Sequence, residues 1–315
     1  MSDKEMLTKK TVVLPLTLLC CLLWGSAFPC IKLGYSFSDI ASDNTFSQIL
    51  YAGMRFTLAG VLALIIGSIV EKKPLFPRVE TFPKIALLSL FQTILQYTFF
   101  YIGLARSTGM KSSVITASNV FLSIIVSALV FRTEKLTLRK MLGCAVGFSG
   151  VILINISGIG GSFSLTGEGF VFFSALSYAF SAALIKRFSR REDPVLLSGW
   201  QFIFGGIFMM LLGLGAGGRM MKFNASGSLM LIYLAVVSAA AFSIWGTLLK
   251  HNPVSAISVF GFMNPVFGVI LSFLLLSERN SAGPLRVAFA LVLVTAGIII
   301  VNLPNKKRSS EKQRI

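Results

Sequence analysis

Met54-Arg55-Phe56-Thr57-Leu58-Ala59-Gly60, running on to Gly67, has a counterpart in Trp200-Gln201-Phe202-Ile203-Phe204-Gly205-Gly206, running on to Gly213. Each stretch is the second apolar run of a set of five. The second set follows the first by 146 residues here (54 to 200) and by 154 at the first run (24 to 178). An odd number of membrane crossings per copy inserts the two copies upside down relative to each other, the geometry of carriers that alternate between two membrane faces. The pattern predicts an all-α membrane protein, with ten transmembrane helices arranged as two inverted five-helix repeats.

Composition agrees. The 315 residues are 55% hydrophobic and 13% charged, with a mean hydropathy of +0.80, where ordinary soluble domains carry about 25% charged residues. So few polar residues cannot cover the outside of a soluble fold. A net charge of +17 would point to nucleic acid in a soluble protein. Here the basic residues fall in short turns between apolar runs, as retention of Lys and Arg on the cytoplasmic side requires, so no nucleic-acid partner is expected. Cys20, Cys21, Cys30 and Cys144 lie in or beside apolar runs and read as small hydrophobes. Lys9-Lys10 followed by Thr11 to Ala27 has no small-x-small cleavage site and is long enough to span, so an uncleaved first helix is expected.

At about 20 apolar residues per crossing, the spans fall at 11–33, 47–69, 83–105, 112–131, 138–156, 168–187, 196–217, 228–249, 253–277 and 283–303. With the N-terminus cytoplasmic, 21 of the 29 Lys and Arg lie inside and 7 outside, and Arg55 lies within a span. That split puts both termini in the cytoplasm of an inner-membrane protein, with a basic tail at 304–315.

The repeat can be followed through all five spans. Trp24-Gly25-Ser26 aligns with Tyr178-Ala179-Phe180, Tyr101 with Trp245, Arg106 with Lys250, Glu134 with Glu278, Gly150 with Gly297 and Asn155 with Asn302. A colinear series of this kind indicates duplication.

From Val12 to Leu303 the chain resembles the EamA-type exporters of the drug/metabolite transporter superfamily. The resemblance rests on Trp24-Gly25-Ser26, on Arg55-Phe56, on Glu134 and Glu278 at the ends of spans 4 and 9, and on Asn264-Pro265-Val266-Phe267. The equivalent first-half stretch, Asn119-Val120-Phe121, lacks the proline that would break the helix. The resemblance implies two repeats, 11–156 and 168–303, a central cavity between them, spans 5 and 10 as scaffold, and outward transport.

Ionisable groups in hydrocarbon are costly and functional candidates by default. Arg55 is the clear case. It reads either as an anchor for a carboxylate or phosphate, or as a packing residue that bonds backbone carbonyls or snorkels; its repeat partner Gln201 is a cavity candidate as well. All twelve acidic residues lie in tails, turns or span ends, with Glu168 near the outer start of span 6. No mid-membrane carboxylate is available for proton coupling, which favours facilitated diffusion or exchange. Gln92 and Gln96 share one face of span 3, and Tyr97 and Tyr101 a neighbouring face; they suit an amphipathic solute or interhelical hydrogen bonds. Asn119, Asn264, Trp24, Tyr178 and Trp245 are further cavity candidates, whereas Trp200 suits an interfacial belt. Gly143, Gly147 and Gly150 form a close-packing face, used within a half or in a homodimer.

No metal-ligand spacing, phosphate loop or Ser/His/Asp set occurs, and a single histidine, His251, cannot organise one. Neither an enzyme nor a cofactor is expected. The reading is a permease for a small metabolite, such as an amino acid or a toxic analogue. Its alternatives are an importer or exchanger of nucleotide-sugar-like solutes, and a membrane protein that handles lipid or signals.

Overall fold

The computed structural model describes residues 3–41, 43–107, 109–155, 163–276 and 284–303. Glu278, the linker 156–162 and the tail 304–315 lie outside the described residues. Among the described residues every regular element is helical and none is a strand. A chain this apolar satisfies its backbone N–H and C=O groups within each helix, because hydrocarbon offers no other partner.

After a single turn, Asp3–Met6, come α1 (Lys10–Phe37), α2 (Thr45–Val70), α3 (Val79–Ala105), α4 (109–130), α5 (Leu138–Asn155), α6 (Leu165–Phe188), α7 (Pro194–Gly215), α8 (Ala225–His251), α9 (254–276) and α10 (Pro284–Asn302). All but α4 and α5 are long and apolar enough to cross a membrane, which makes eight such helices among the described residues. The apolar part of α4, Val114–Val130, is shorter.

Local chemistry sets the ends. Asn44 caps α2 by accepting from Ser47 N–H at 3.0 Å, and Asn224 caps α8 through Gly227 N–H at 2.7 Å. At α7, Asp193 accepts from Val195 and Leu196 N–H at 2.8 and 3.0 Å, with Pro194 at the first helical position.

Three interruptions matter for the interior. α3 widens into a π-helical turn at Leu90–Leu95. α4 breaks at Ser118, whose N–H and hydroxyl both donate to the Ile115 carbonyl, at 3.0 and 2.6 Å. α9 tightens into a 3-10 turn at Val259–Phe262, just before Asn264-Pro265. Both halves are therefore broken just ahead of the paired asparagines. Proline, which lacks the N–H, serves in one half, and a serine competing for a helix carbonyl serves in the other.

α2 packs along α7, and α5 along α10. A methyl group on Gly297 would lie 2.6 Å from the Gly143 carbonyl, and one on Gly150 would lie 2.8 Å from that of Ala290. The Gly143, Gly147, Gly150 face is thus filled from the other half of the same chain, and not within its own half as one reading had it. α1 packs on α8 and α9, and α2 on α8; correspondingly α6 packs on α3 and α4, and α7 on α3. This divides the bundle into the group α1, α2, α8, α9 and the group α3, α4, α6, α7. They join along α2–α7, with the α5–α10 pair alongside.

At one end of the bundle, the near end, α1 begins. Asn252 at the α8–α9 turn donates to the Leu7 carbonyl there at 2.9 Å, and Trp200 at the start of α7 donates to that of Leu75. At the far end Lys222 N–H donates to the Ser38 carbonyl at 3.0 Å.

Candidate functional site

A cavity of about 160 Å³ opens between the two helix groups. The group containing α1 contributes Trp24, Phe28 and Ile31, then Arg55, Phe242, Gly261, Asn264 and Pro265. The other contributes Gln96, Tyr97, Phe100 and Tyr101, then Thr116, Ala117, Asn119, Ser174 and Tyr178. Trp24, Arg55, Gln96, Tyr97, Tyr101, Asn119, Tyr178 and Asn264 therefore meet at one space. Gln92 and Trp245 sit below it, toward the near end, and line a second cavity of about 10 Å³ with Tyr178 and Ser198. That volume is about one water. The Trp24 ring lies 4.9 Å from that of Trp245 and 5.1 Å from that of Phe242, both edge-on. These three rings form the floor between the two spaces.

Several wall residues escaped the sequence reading: Phe28, Phe100, Thr116, Ser174 and Phe242. A signal existed for two of them. Phe28 stands four residues after Trp24, and Ser174 four before Tyr178, so each shares a helix face with a candidate.

Arg55 supplies the one charge among the described lining residues. It is 3% exposed. Its Nε donates to the Ser238 hydroxyl at 3.0 Å and to the Leu234 carbonyl at 3.2 Å, while the Ser238 hydroxyl itself donates to Leu234 at 3.0 Å. The guanidinium carbon stands 5.2 Å from the centre of the Phe56 ring. One edge of Arg55 thus bonds α8, including its backbone, and no hydrogen bond from a described residue reaches its two terminal amino groups. Its repeat partner Gln201 occupies neither space. It is fully buried, its Oε1 accepts from Thr93 Oγ1 at 2.6 Å, and its carbonyl accepts from Ser89 at 2.8 Å, joining α7 to α3. The Oε1 of Gln96, the Oδ1 of Asn264, Thr116 Oγ1 and Trp24 Nε1 are buried without a protein hydrogen bond. The cavity wall thus combines one guanidinium with side-chain amides, a hydroxyl, an indole N–H and aromatic faces.

Glu168 lies at the far end, 6% exposed, accepting from Ser164 N–H at 2.8 Å and Ser107 Oγ at 3.0 Å, and is not part of the cavity wall. Trp200, with its ring beside Phe76 and Phe204, is at the near end.

The near end is tied shut across the two groups. Glu134, after α4, pairs with Lys140 at 2.5 Å and accepts from the N–H of Ser255, at 2.9 Å, and from its hydroxyl, at the start of α9. Lys186 of α6 donates to the carbonyls of Lys250 and Asn252 at 3.1 and 2.6 Å, where α8 ends. Lys84 of α3 pairs with Glu192, between α6 and α7, at 2.5 Å, a contact within the second group.

The comparisons with known proteins agree with one another. The EamA-like transporter family matches residues 12–156 and again 165–303. The chain is 24% identical over 298 residues to the uncharacterized transporter YvbV of Bacillus subtilis (strain 168), covering 92% of this chain and 91% of that one. It is 28% identical over 291 residues to the uncharacterized transporter sll0355 of Synechocystis, covering 86% and 85%. An uncharacterized transporter of Archaeoglobus fulgidus is 27% identical over 302 residues, covering 93% and 98%. One crystal structure superposes with a TM-score of 0.75 over 93% of this chain and 97% of its own, at 16% identity, which speaks for the fold. With two matches that together take in nearly all the described helices and the cavity residues, the chain belongs to the EamA-like transporter family and is a multi-pass membrane protein.

Proposed function

We propose that the protein is an inner-membrane carrier of two inverted five-helix repeats that exports a small organic solute bearing an anionic group, such as an amino acid or a toxic analogue. The observation that carries this reading is Arg55, the one charged side chain on the described wall of an aromatic, 160 Å³ cavity, whose terminal amino groups make no hydrogen bond among the described residues. A guanidinium held along one edge presents a planar donor pair that fits a carboxylate. The aromatic walls of Trp24, Tyr97, Tyr101 and Tyr178 take the apolar body, and the amides of Gln96, Asn119 and Asn264 fix its orientation.

Inverted repeats are supported by the packing. Exchanging α1–α5 with α6–α10 maps α1 on α9 to α6 on α4, α1 on α8 to α6 on α3, and α2 on α8 to α7 on α3. Such an exchange lets the two groups rock, so that the floor opens as the far end closes. The near end, which holds the basic turns, is then cytoplasmic, and the direction follows the family resemblance. The wall holds no described carboxylate, which supports movement without carboxylate-borne proton coupling.

Vesicles containing the full chain test the reading with a panel of radiolabelled amino acids and carboxylates. Arg55→Gln should abolish carboxylate flux at unchanged protein level. Unchanged flux in that variant would return Arg55 to a packing role.

A further inference from the structure

A carrier that moves one solute downhill must return empty, and returning means closing its cavity and expelling the water in it. Here that step meets a specific obstacle. Nε of Arg55 is tethered to Leu234 and Ser238, and Phe56 lies beside its guanidinium, so the cation cannot swing out to an interface. No carboxylate stands among the described lining residues to neutralise it. An empty cavity that closes strands a desolvated, unpaired charge, the costliest group to leave in a dry interior. A cavity that closes around a carboxylate converts the same charge into a bidentate, charge-assisted pair.

We infer that the carrier is a compulsory exchanger: its cavity closes only around a bound anionic group, so each anion-bearing solute that leaves is matched by one that enters. The inference rests on the transport reading above and goes further, because simple facilitated diffusion needs the empty return that Arg55 opposes.

Ser198 reports the return step. It is 2% exposed and lines the small space beneath the Trp24–Trp245 floor, so it is reached only when the near end opens. In the full-length Ser198→Cys protein, with the parent chain as blank, a maleimide should label the substrate-free form slowly. Adding Arg55→Gln should speed labelling at least tenfold, equivalent to about 1.4 kcal/mol off the barrier, whereas Arg55→Lys, which keeps the charge, should stay slow. Arg55→Met supplies a second neutral variant if the glutamine variant does not fold. In parallel, vesicles loaded with radiolabelled benzoate and amino acids should release label at least tenfold faster into medium containing the same unlabelled compounds than into medium without them. Equal labelling with and without the Arg55 charge overturns the inference and leaves the transport reading standing, as does equal release into both media. No release into either medium takes down the transport reading, and compulsory exchange with it.

Discussion

Gly53 and Gly206 share a reciprocal contact: a methyl group on either would come within 2.8 Å of the other's carbonyl oxygen. Gly60 and Gly199 meet less evenly at the repeat-related position: a methyl group on Gly199 would come within 3.2 Å of the Gly60 carbonyl oxygen, and one on Gly60 closer still to that of Gly199. The second helices of the two halves therefore touch backbone to backbone, and the helix carrying Arg55 is held to the opposite half with little freedom to slide. Without a hydrophobic driving force between helices in lipid, this close approach is what holds them.

Gly206→Ala should accordingly lower the thermal midpoint, by overpacking worth about 1–3 kcal/mol, and Gly206→Leu should destroy the monodisperse peak in size exclusion. Gly215→Ala is the control, since nothing stands within 4 Å of that position. A Gly206→Ala midpoint equal to that of the parent would contradict the packing.

Ser238 should act through Arg55. Ser238→Ala removes one of the two acceptors of Nε and loosens the guanidinium by about 1 kcal/mol, so KM for a transported carboxylate should rise about fivefold with kcat unchanged. A fall in kcat at constant KM would show that Ser238 serves the moving helices instead.

The near-end ties should set the balance between the two carrier states. Ser255→Ala removes the hydroxyl bond to Glu134, and Lys186→Met the bonds to Lys250 and Asn252. Each should raise maleimide labelling of Ser198→Cys several-fold, and the pair should do so together. Labelling unchanged in both variants would mean that these contacts are incidental to closure.

With solute on both sides, exchange of labelled for unlabelled solute should persist when the proton gradient is collapsed, because no described lining residue is an Asp or Glu. Flux that stops with the gradient would place a proton carrier elsewhere in the chain.

At the far end, the Lys222 ammonium, 2.5 Å away, holds the Asp39 carboxyl below its usual range. A lowered value contributes stability above the ordinary carboxylate pKa that is lost as pH falls through the folded one. Both side chains are largely exposed, and exposed pairs contribute little. Lys222→Ala should therefore leave the thermal midpoint at pH 7 unchanged, and a large drop would reveal a hidden role for this pair.

Apolar runs of spanning length, basic turns between them and a colinear internal repeat were enough to read the class and the family from residues alone. The interior was harder. Gln92 and Gln96 sit four apart, yet a π-helical turn between them puts Gln92 below the floor and Gln96 on the cavity wall. Gln201 matched Arg55 in the repeat but bonds Thr93, because a neutral amide can satisfy itself between two helices where a guanidinium keeps donors to spare. The break before Asn119 was invisible without a proline, since it comes from one serine bonding its own helix.

Composition and periodicity are properties of single helices in a uniform solvent, so the chain by itself determined that it spans a membrane, how many apolar runs it has, and which residues were too polar to face lipid. Which of those polar residues face one another depends on how helices from different halves meet. That was decided only in the tertiary structure, where glycine contacts fix the separation of α2 and α7, and where Ser238, 183 residues away in sequence, takes one edge of Arg55 and leaves the other to the cavity.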